Sequence, residues 1–330
     1  MGKSRTGSSL IRFQQKFSTE QACIQYLAKI RWPDGFRCKR CGKDKAYQLK
    51  VEPRVFQCAH CNCQESVTAG TLLHRTRTPL LKWFWAAYLL CQDKRGISAM
   101  HLSRELDLRY PTAWTMLHKL RRALADHHPF VLEGVVEVDE SYYGGKGDPG
   151  IFGRSLRNKN RLLLVMAVER KLARGKKIPG IKRSGFVAGN AKVGVLDSAS
   201  AEQLGDFLKA SLKPGANLLT DGWAAYGDAG QDFEHEPVIQ GDPRNAGRIL
   251  PLVHLQFSNL KSWLNGTFHG VGRKHLPAYL TEWNYRFNRR GLISNLFDYV
   301  MRRAMKSAAI TYREIADGPS KTLPVHGLCV

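Results

Sequence analysis

The chain has 330 residues, of which 43% are hydrophobic, so its length and composition exclude a wholly disordered protein and allow two or more domains. Its 51 Lys and Arg residues against 28 Asp and Glu residues give a net charge of +23. An excess of this size favours a polyanionic partner, of which nucleic acid is the commonest, over a basic surface that only faces water.

The sequence gives no sign of export or of membrane insertion. Residues 1–17 contain no continuous apolar core, and the longest apolar run, Leu80–Cys91, is interrupted by Lys82. That run is also shorter than the roughly 20 residues that a spanning helix needs. We therefore expect a cytoplasmic protein with no membrane partner, in which paired cysteines bind metal rather than form disulfides.

Two Cys-x-x-Cys pairs follow a predicted N-terminal helical segment, residues 1–34, in which Ser18-Thr19-Glu20 is typical of a helix start. The pairs are separated by residues 42–57, and their members are Cys38, Cys41, Cys58 and Cys61. This spacing is typical of a zinc ribbon, in which four thiolates surround one structural Zn²⁺ ion. We assign the ribbon to residues 35–68, with Cys63 as an alternative to Cys61.

The region 78–126 has the pattern of helices joined by short turns. Residues 97–106 and 111–124 predict two helices, and the second has an outward face formed by Thr112, Thr115, Lys119 and Arg122. A polar and basic face of this kind suits a recognition helix in the major groove, as in a helix-turn-helix. A two-helix hairpin with a solvated basic face has the same pattern.

From residue 132 the pattern predicts three strands, a helix, a fourth strand and further helices, which is an α/β arrangement. The continuous apolar run 161–169 is typical of a central strand that is buried on both faces. Asp139 lies in the first strand and Asp221 ends the fourth. If the two strands are neighbours, the carboxylates can bind a hard divalent cation such as Mg²⁺; otherwise they are two ordinary strand aspartates.

Four motifs in this part of the chain resemble those of one family. They are VEVDESYYGGK at 136–146, TDGWAAY at 220–226, SNLKSWLNGT at 258–267 and YRFNRR at 285–290. They are similar to motifs of the ISXO-type insertion-sequence transposases, also called the insertion-sequence 1595-like family, an Asp-Asp-Asn branch of the DDE superfamily. The resemblance covers roughly residues 20–305, and it implies an RNase H-like catalytic domain at 132–307, followed by a C-terminal tail at 308–330.

The resemblance implies a DNA transposase of a bacterial insertion sequence. Such an enzyme binds terminal inverted repeats and catalyses DNA cleavage and strand transfer with Mg²⁺, or with Mn²⁺ in its place. Its partners would be double-stranded DNA, both element ends and target, and further copies of itself in a homo-oligomer on the bacterial nucleoid. Two other functions fit parts of the pattern: a zinc-ribbon DNA-binding regulator without catalysis, and an RNase H-like nuclease without strand transfer.

Carried over residue by residue, the resemblance implies Asp139, Asp221 and Asn259 as the catalytic, magnesium-binding residues. The third position departs from the usual Glu, since this branch commonly has Asn. An Asn offers one neutral oxygen, so the site would hold a second metal ion more weakly. His254 and Glu282 are the alternatives for this position, interpreted more simply as a packed histidine and a helix-surface acid.

Charged residues near these positions are expected to support the site or to contact DNA. Glu137 and Glu140 flank the first acid and are predicted to support it. Lys261 is the candidate for orienting a phosphate, with a solvated lysine as the alternative. Three arginines that could clamp the DNA backbone, or equally form an exposed basic helix end, are Arg286, Arg289 and Arg290.

Overall fold

In a computed structural model the chain forms two compact units. One contains the described residues of Met1–Leu124 and Arg290–Asp317, and the other contains those of Ala125–Arg289. Within the part of the chain that the structure describes, no helix combines the length and the apolar character needed to cross a membrane. The described residues are 9–92, 95–125, 130–144, 161–173, 185–238, 249–291 and 296–318.

The first unit begins with two helices, α1 (Leu10–Lys16) and α2 (Glu20–Arg31). Thr19 caps α2, because its Oγ1 accepts a hydrogen bond from the backbone N of Ala22 at 3.2 Å. This confirms the helix start predicted at Ser18-Thr19-Glu20. The helix ends before Trp32-Pro33, since a residue that precedes proline is disfavoured in the helical conformation.

A three-stranded antiparallel sheet follows, formed by β1 (Ala46–Gln48), β2 (Val55–Cys58) and β3 (Gln64–Ser66). One face of this sheet packs against the C-terminal end of α2. The ring of Phe56 lies 5.0 Å from that of Trp32, and Glu65 forms an ion pair with Arg31. Side chains alternate along a strand, so every second residue of the sheet points to the other face.

Three helices continue this unit: α3 (Leu80–Gln92), α4 (Ala99–Glu105) and α5 (Tyr110–Leu124). A short turn joins α4 to α5, and in it Asp107 has a φ of 46°. Asp tolerates this left-handed conformation better than most residues do. The two helices predicted within 97–124 are therefore present, with bounds shifted by one or two residues.

The second unit is built on a five-stranded mixed sheet, whose strands are β4 (Val135–Tyr143), β5 (Leu162–Leu172), β6 (Phe186–Leu196), β7 (Asn217–Thr220) and β8 (Glu234–Pro237). Their order in the sheet is β6-β5-β4-β7-β8. The first three strands in sequence are antiparallel neighbours, β7 is parallel to β4, and β8 is parallel to β7. The predicted α/β arrangement is thus confirmed. The sequence did not predict β8, because this edge strand is short, polar and ends at a proline.

Helices cover both faces of this sheet. On one face lie α6 (Ala201–Ser211) and α7 (Ala225–Ala229), and on the other lie α8 (Pro251–Phe268) and α9 (Leu276–Asn288). Residues of β5 enter the two cores alternately: Val165 and Ala167 face one, Met166 and Val168 the other. A strand buried on both faces requires an apolar residue at every position, which confirms the prediction for 161–169.

Two further helices, α10 (Leu296–Lys306) and α11 (Tyr312–Asp317), belong to the first unit. Tyr26 Oη donates a hydrogen bond to Asp298 on α10, and the backbone N of Leu72 donates to Ala304 O at 3.1 Å. The predicted catalytic domain extended to residue 307, whereas α10 belongs to the first unit and not to the unit built on the five-stranded sheet. The pattern of α10 shows that one face is buried but not which core receives it. Residues 319–330 of the predicted tail lie outside the described residues.

Candidate active site and metal centre

The four paired cysteines come together through two turns of the same design. Each turn ends with a residue in the left-handed conformation, Gly42 with a φ of 73° and Asn62 with a φ of 56°. Gly and Asn are the residue types that adopt this conformation at least cost. The sulfurs all lie within 4.8 Å of one another, and they belong to Cys38, Cys41, Cys58 and Cys61.

Backbone N–H groups in these turns favour thiolates. The N of Arg40 donates to Cys38 Sγ and the N of His60 donates to Cys58 Sγ, both at 3.4 Å. Hydrogen bonds from the backbone, chiefly one within the same turn, lower the pKa of Cys38 to about 6, and similar bonds lower the pKa of Cys58. Zinc binds the deprotonated sulfur. The four-sulfur group therefore fits a structural Zn²⁺, as predicted, and Cys63 is not a member of it.

A row of polar side chains on β4 faces α8. Val136 and Val138 point into the core beneath α6 and α7. Alternation along the strand therefore directs Glu137, Asp139 and Ser141 to the opposite face. Each of these three residues has a partner on α8.

Glu137 holds the N-terminus of α8. Its side chain is fully buried, and Oε2 accepts hydrogen bonds from the backbone N of Leu252 at 2.8 Å and of Val253 at 3.0 Å. Oε1 accepts from Arg170 Nε at 2.6 Å. A carboxylate in this position satisfies N–H groups that lack a partner within the helix and interacts favourably with its dipole. Glu137 thereby fixes the residues that immediately precede His254.

His254 is the partner of Asp139 on α8. Its Nδ1 lies 3.6 Å from Asp139 Oδ2, and Asp139 is only 7% exposed. Burial lowers the pKa of His254 from its usual value of 6.5, although the charges of Glu137 and Asp221 act in the opposite direction. The imidazole is therefore mainly neutral at pH 7, and a neutral ring has a nitrogen lone pair available for a metal ion or a proton.

Lys261 lies two helical turns after His254, on the same side of α8. Its Nζ donates a hydrogen bond to Ser141 Oγ at 2.6 Å. Burial lowers the pKa of Lys261, and the charge of Asp139 acts to raise it. The ammonium group predicted to orient a phosphate is thus close to the first acid.

Asp221 reaches the same region from β7. In the parallel pairing of β4 with β7, Glu137 lies opposite Leu219. β7 ends at Thr220, so Asp221 directly follows this strand, while Asp139 stands two residues beyond Glu137 on β4. The charges of both acids act on the buried Tyr226, so the two acids lie in the same region. Asp221 is half-buried, and its Oδ1 accepts a hydrogen bond from the backbone N of Trp223 at 3.2 Å.

Asn259 is not brought to this group. It is exposed, and its Nδ2 donates to Gln256 Oε1 on the same helix at 3.1 Å. At about 100° per residue, Asn259 is rotated around α8 by about 140° from His254 and by about 160° from Lys261. The structure therefore places His254, not Asn259, beside the first acid.

Glu140 lies on the opposite face of β4 and connects that strand to α7. Its side chain is buried and accepts a hydrogen bond from Tyr226 Oη, while its backbone N donates to Asp139 Oδ1 at 2.8 Å. Burial, and then the charge of Glu140, raises the pKa of Tyr226 well above 10.0. Tyr226 comes five residues after Asp221, so this contact ties the turn that carries the second acid to the strand that carries the first.

The C-terminal part of α9 differs from its predicted role. Glu282, expected at the helix surface, is fully buried and forms an ion pair with Arg286 Nε at 3.0 Å. The Arg286 side chain is mostly buried and is paired with an acid on its own helix. The guanidinium of Arg289 lies 4.2 Å from the centre of the Tyr285 ring, and Arg290 is exposed.

The four residues predicted to contact DNA from α5 lie in different surroundings. Thr115 Oγ1 donates to a backbone carbonyl one turn earlier at 2.7 Å, and Lys119 Nζ donates to Leu72 O at 3.3 Å. Burial lowers the pKa of Lys119. Thr112 is half-buried and Arg122 is exposed. The predicted recognition face is therefore partly engaged in contacts within its own unit.

The short helix α11 lies against this face of α5. The ring centres of Tyr312 and Trp114 are 6.0 Å apart. Hydrogen bonds from Thr311 lower the pKa of Glu314, and the charges of Arg122 and Lys119 lower it further. An acidic side chain thus stands close to two of the predicted DNA contacts.

Family models match both parts of the chain. A transposase zinc-ribbon domain matches residues 18–64, and an ISXO2-like transposase domain matches residues 131–288. The first match contains the four cysteines, and the second contains both acids, His254 and Lys261. Both matched domains are those of insertion-sequence transposases, and these matches confirm the resemblance seen in the motifs of this chain.

A relative from Halobacterium salinarum is similar to this chain over most of its length. The two are 27% identical over 277 residues, which cover 82% of this chain and 91% of the relative. That protein is described as an uncharacterized protein in the transposable element ISH50. No solved structure matches the chain significantly.

Proposed function

We propose that this chain binds the terminal inverted repeats of a bacterial insertion sequence and catalyses metal-dependent DNA cleavage and strand transfer. The observation that carries the proposal is that His254 and Lys261 on α8 face the first acid, Asp139. Asp221 directly follows β7, the parallel neighbour of the strand that carries Asp139. The strand order, with three antiparallel strands followed by two parallel ones, supports an RNase H-like core.

The donor set of this site fits a divalent cation. Carboxylates are the hard ligands that Mg²⁺ and Mn²⁺ prefer, and we assign Asp139 and Asp221 to that role. His254 takes the third position, and because imidazole is softer than a carboxylate, Mn²⁺ should support the reaction at least as well as Mg²⁺. Bound ions supply activation of a water or a 3′-hydroxyl and stabilisation of the leaving oxygen.

The other roles fall to the chain itself. Asp139 and Asp221 lie in and at the end of rigid strands, which hold a site more accurately than loops do. Lys261, beside Asp139, is placed to pair with a phosphate oxygen of the DNA. Glu137 keeps His254 and Lys261 in register with β4 by fixing the start of α8.

The proposal includes the partners that the reaction needs. Joining two element ends to a target requires double-stranded DNA, and pairing the ends calls for a homo-oligomer assembled on the bacterial nucleoid in the cytoplasm. The ribbon would hold Zn²⁺ and contribute to end binding. A DNA-binding regulator would need the same contacts, but such a function gives no reason for two acids, a histidine and a lysine to converge on one face of the sheet.

The catalytic assignment is tested with Asp139→Asn and Asp221→Asn, with the exposed Asp228→Asn on α7 as the matched control. Labelled duplexes carrying the element ends are incubated with Mg²⁺ or Mn²⁺, and nicked and joined products are quantified. Each site variant should lose more than the roughly 10- to 100-fold typical of groups outside direct coordination. End binding should persist.

The products distinguish the competing functions. Cleavage at the wild-type rate in Asp139→Asn or Asp221→Asn contradicts the catalytic assignment. End binding by the wild type without any nicking identifies a regulator. Nicking without joined products identifies a nuclease, because hydrolysis and strand transfer share the same metal chemistry and differ in the attacking oxygen.

A further inference from the structure

The face of the ribbon sheet that points away from α2 carries a row of hydrogen-bonded amides. Tyr47, Gln57 and Gln64 are direct cross-strand neighbours on β1, β2 and β3. Gln57 Nε2 donates to Tyr47 Oη at 2.5 Å and to Asn62 Oδ1 at 3.1 Å, and Gln64 Nε2 donates to Gln57 Oε1 at 2.8 Å. We call Tyr47, Gln57, Asn62 and Gln64 the amide row. Their mutual hydrogen bonds hold them in place before any partner binds.

The amide row is open to solvent and retains hydrogen-bonding capacity. Tyr47 is 49% exposed, Asn62 and Gln64 are exposed, and Gln57 is half-buried. Each amide has two N–H donors and a carbonyl oxygen with two lone pairs. Within the row Gln57 uses both of its N–H donors, whereas Gln64 uses one N–H and Asn62 uses only its oxygen. The row can therefore bind a second polar surface without being dismantled.

The ribbon that carries the amide row has more exposed basic than acidic side chains. The nearest in register is Lys45, whose backbone O accepts from the N of Ala59 at 3.0 Å, so its side chain continues the face on which Tyr47 lies. The one buried acid of the ribbon, Glu65, is paired with Arg31 on the other face. The exposed basic residues of the ribbon are Arg37, Lys39, Arg40, Lys43, Lys45 and Lys50, against Asp44 and Glu52. This charge complements a phosphate backbone.

We propose that the amide row contacts base edges in the major groove of double-stranded DNA, with adenine-containing steps as its target. The proposal rests on the proposed function, because it assigns the residues that recognise the element ends. Gln and Asn amides match the N6 donor and N7 acceptor of adenine, and the groove, about 12 Å wide, admits β-strands. On α5, by contrast, Thr115 and Lys119 are engaged within their own unit.

The test measures a specificity ratio by fluorescence anisotropy with the zinc-loaded full-length chain. One probe is a duplex from the ends of the insertion sequence that encodes the chain, and the other is a scrambled duplex of the same composition. Gln64→Ala should lower the ratio by about 5- to 100-fold, the range for a lost base contact, without changing affinity for the scrambled duplex. Gln57→Ala should also lower the ratio, because it removes the side chain that orients Gln64. Lys45→Ala should weaken both alike, because phosphate contacts carry no sequence information.

Three controls separate base reading from misfolding. Gln21→Ala removes an amide that bonds Gln48 on the other face of the sheet, and it should leave both affinities unchanged. Bound zinc and circular dichroism establish that each variant is folded. Replacing adenine by 7-deazaadenine removes the N7 acceptor, so it should weaken wild-type binding but cause no further loss in a variant that already lacks the contact.

The outcomes separate this proposal from the proposed function. An unchanged specificity ratio in both Gln57→Ala and Gln64→Ala overturns the amide row as the reading surface. A loss confined to Thr112→Ala on α5 overturns it as well, as does a wild-type chain with no preference for the ends. A chain that prefers the ends through the amide row but never cuts them overturns the proposed function alone.

Discussion

The side chain of His254 extends from α8, the helix that also carries Lys261, towards the buried first acid, Asp139. Its Nδ1 lies 3.6 Å from Asp139, whereas Asn259 on the same helix bonds Gln256. We expect His254→Ala to lower the single-turnover cleavage rate by at least about 10- to 100-fold and Asn259→Ala to leave it within about twofold. Paramagnetic resonance of bound Mn²⁺ provides a readout that does not depend on activity. A larger loss in Asn259→Ala would return that residue to the site.

The same contrast explains which site residues the sequence could predict. Asp139 and Asp221 stand inside motifs whose local pattern also fixes the strand, so their positions were predictable. The identity of the third residue of the candidate site depends on which side of α8 faces β4. In the sequence, only the seven-residue spacing of His254 and Lys261, which puts both on one side of a helix, indicated that side. Glu282 is buried rather than at the helix surface, and its charge is paired with Arg286, four residues later on α9.

At the scale of elements, the ribbon has only three short strands, so zinc must supply much of its folding free energy. We expect Cys41→Ser to lose zinc and weaken end binding, because it removes one of the four ligands. Cys63→Ser is the matched control and should keep both properties. Zinc stoichiometry and hydrogen exchange are the measurements, with exchange expected to rise in β1–β3 while β4–β8 stay protected. Equal zinc loss in the two variants would contradict this ligand set.

The sequence did not predict the position of elements that depend on contacts with residues far away in the chain. The strand β5 was predictable, because its own continuous run of apolar residues indicates burial on both faces. β8 is polar throughout and is a strand because it pairs with β7. The amphipathic α10 packs within the first unit, and α11 lies over α5. The local sequence pattern of neither helix predicts which part of the protein it packs against.

At the scale of the whole molecule, the two kinds of site lie in different compact units. The ribbon and α5 belong to one unit, and the two acids, His254 and Lys261 belong to the other. Each unit has its own core, so a substitution in one site need not unfold the other. Variants of the ribbon should therefore alter which DNA is bound, and variants of the acids should alter what happens to it.

The net charge of +23 should make DNA binding by the whole chain strongly dependent on salt. Each neutralised phosphate releases counterions, so six to ten contacts would reduce affinity by about 10³- to 10⁵-fold between roughly 50 and 200 mM salt. Anisotropy titrations give the slope of log affinity against log salt. Arg122→Ala, which removes an exposed charge on α5, should reduce that slope by about one unit, and Asp139→Asn should leave it unchanged. An affinity that does not respond to salt would assign the excess charge to a partner other than DNA.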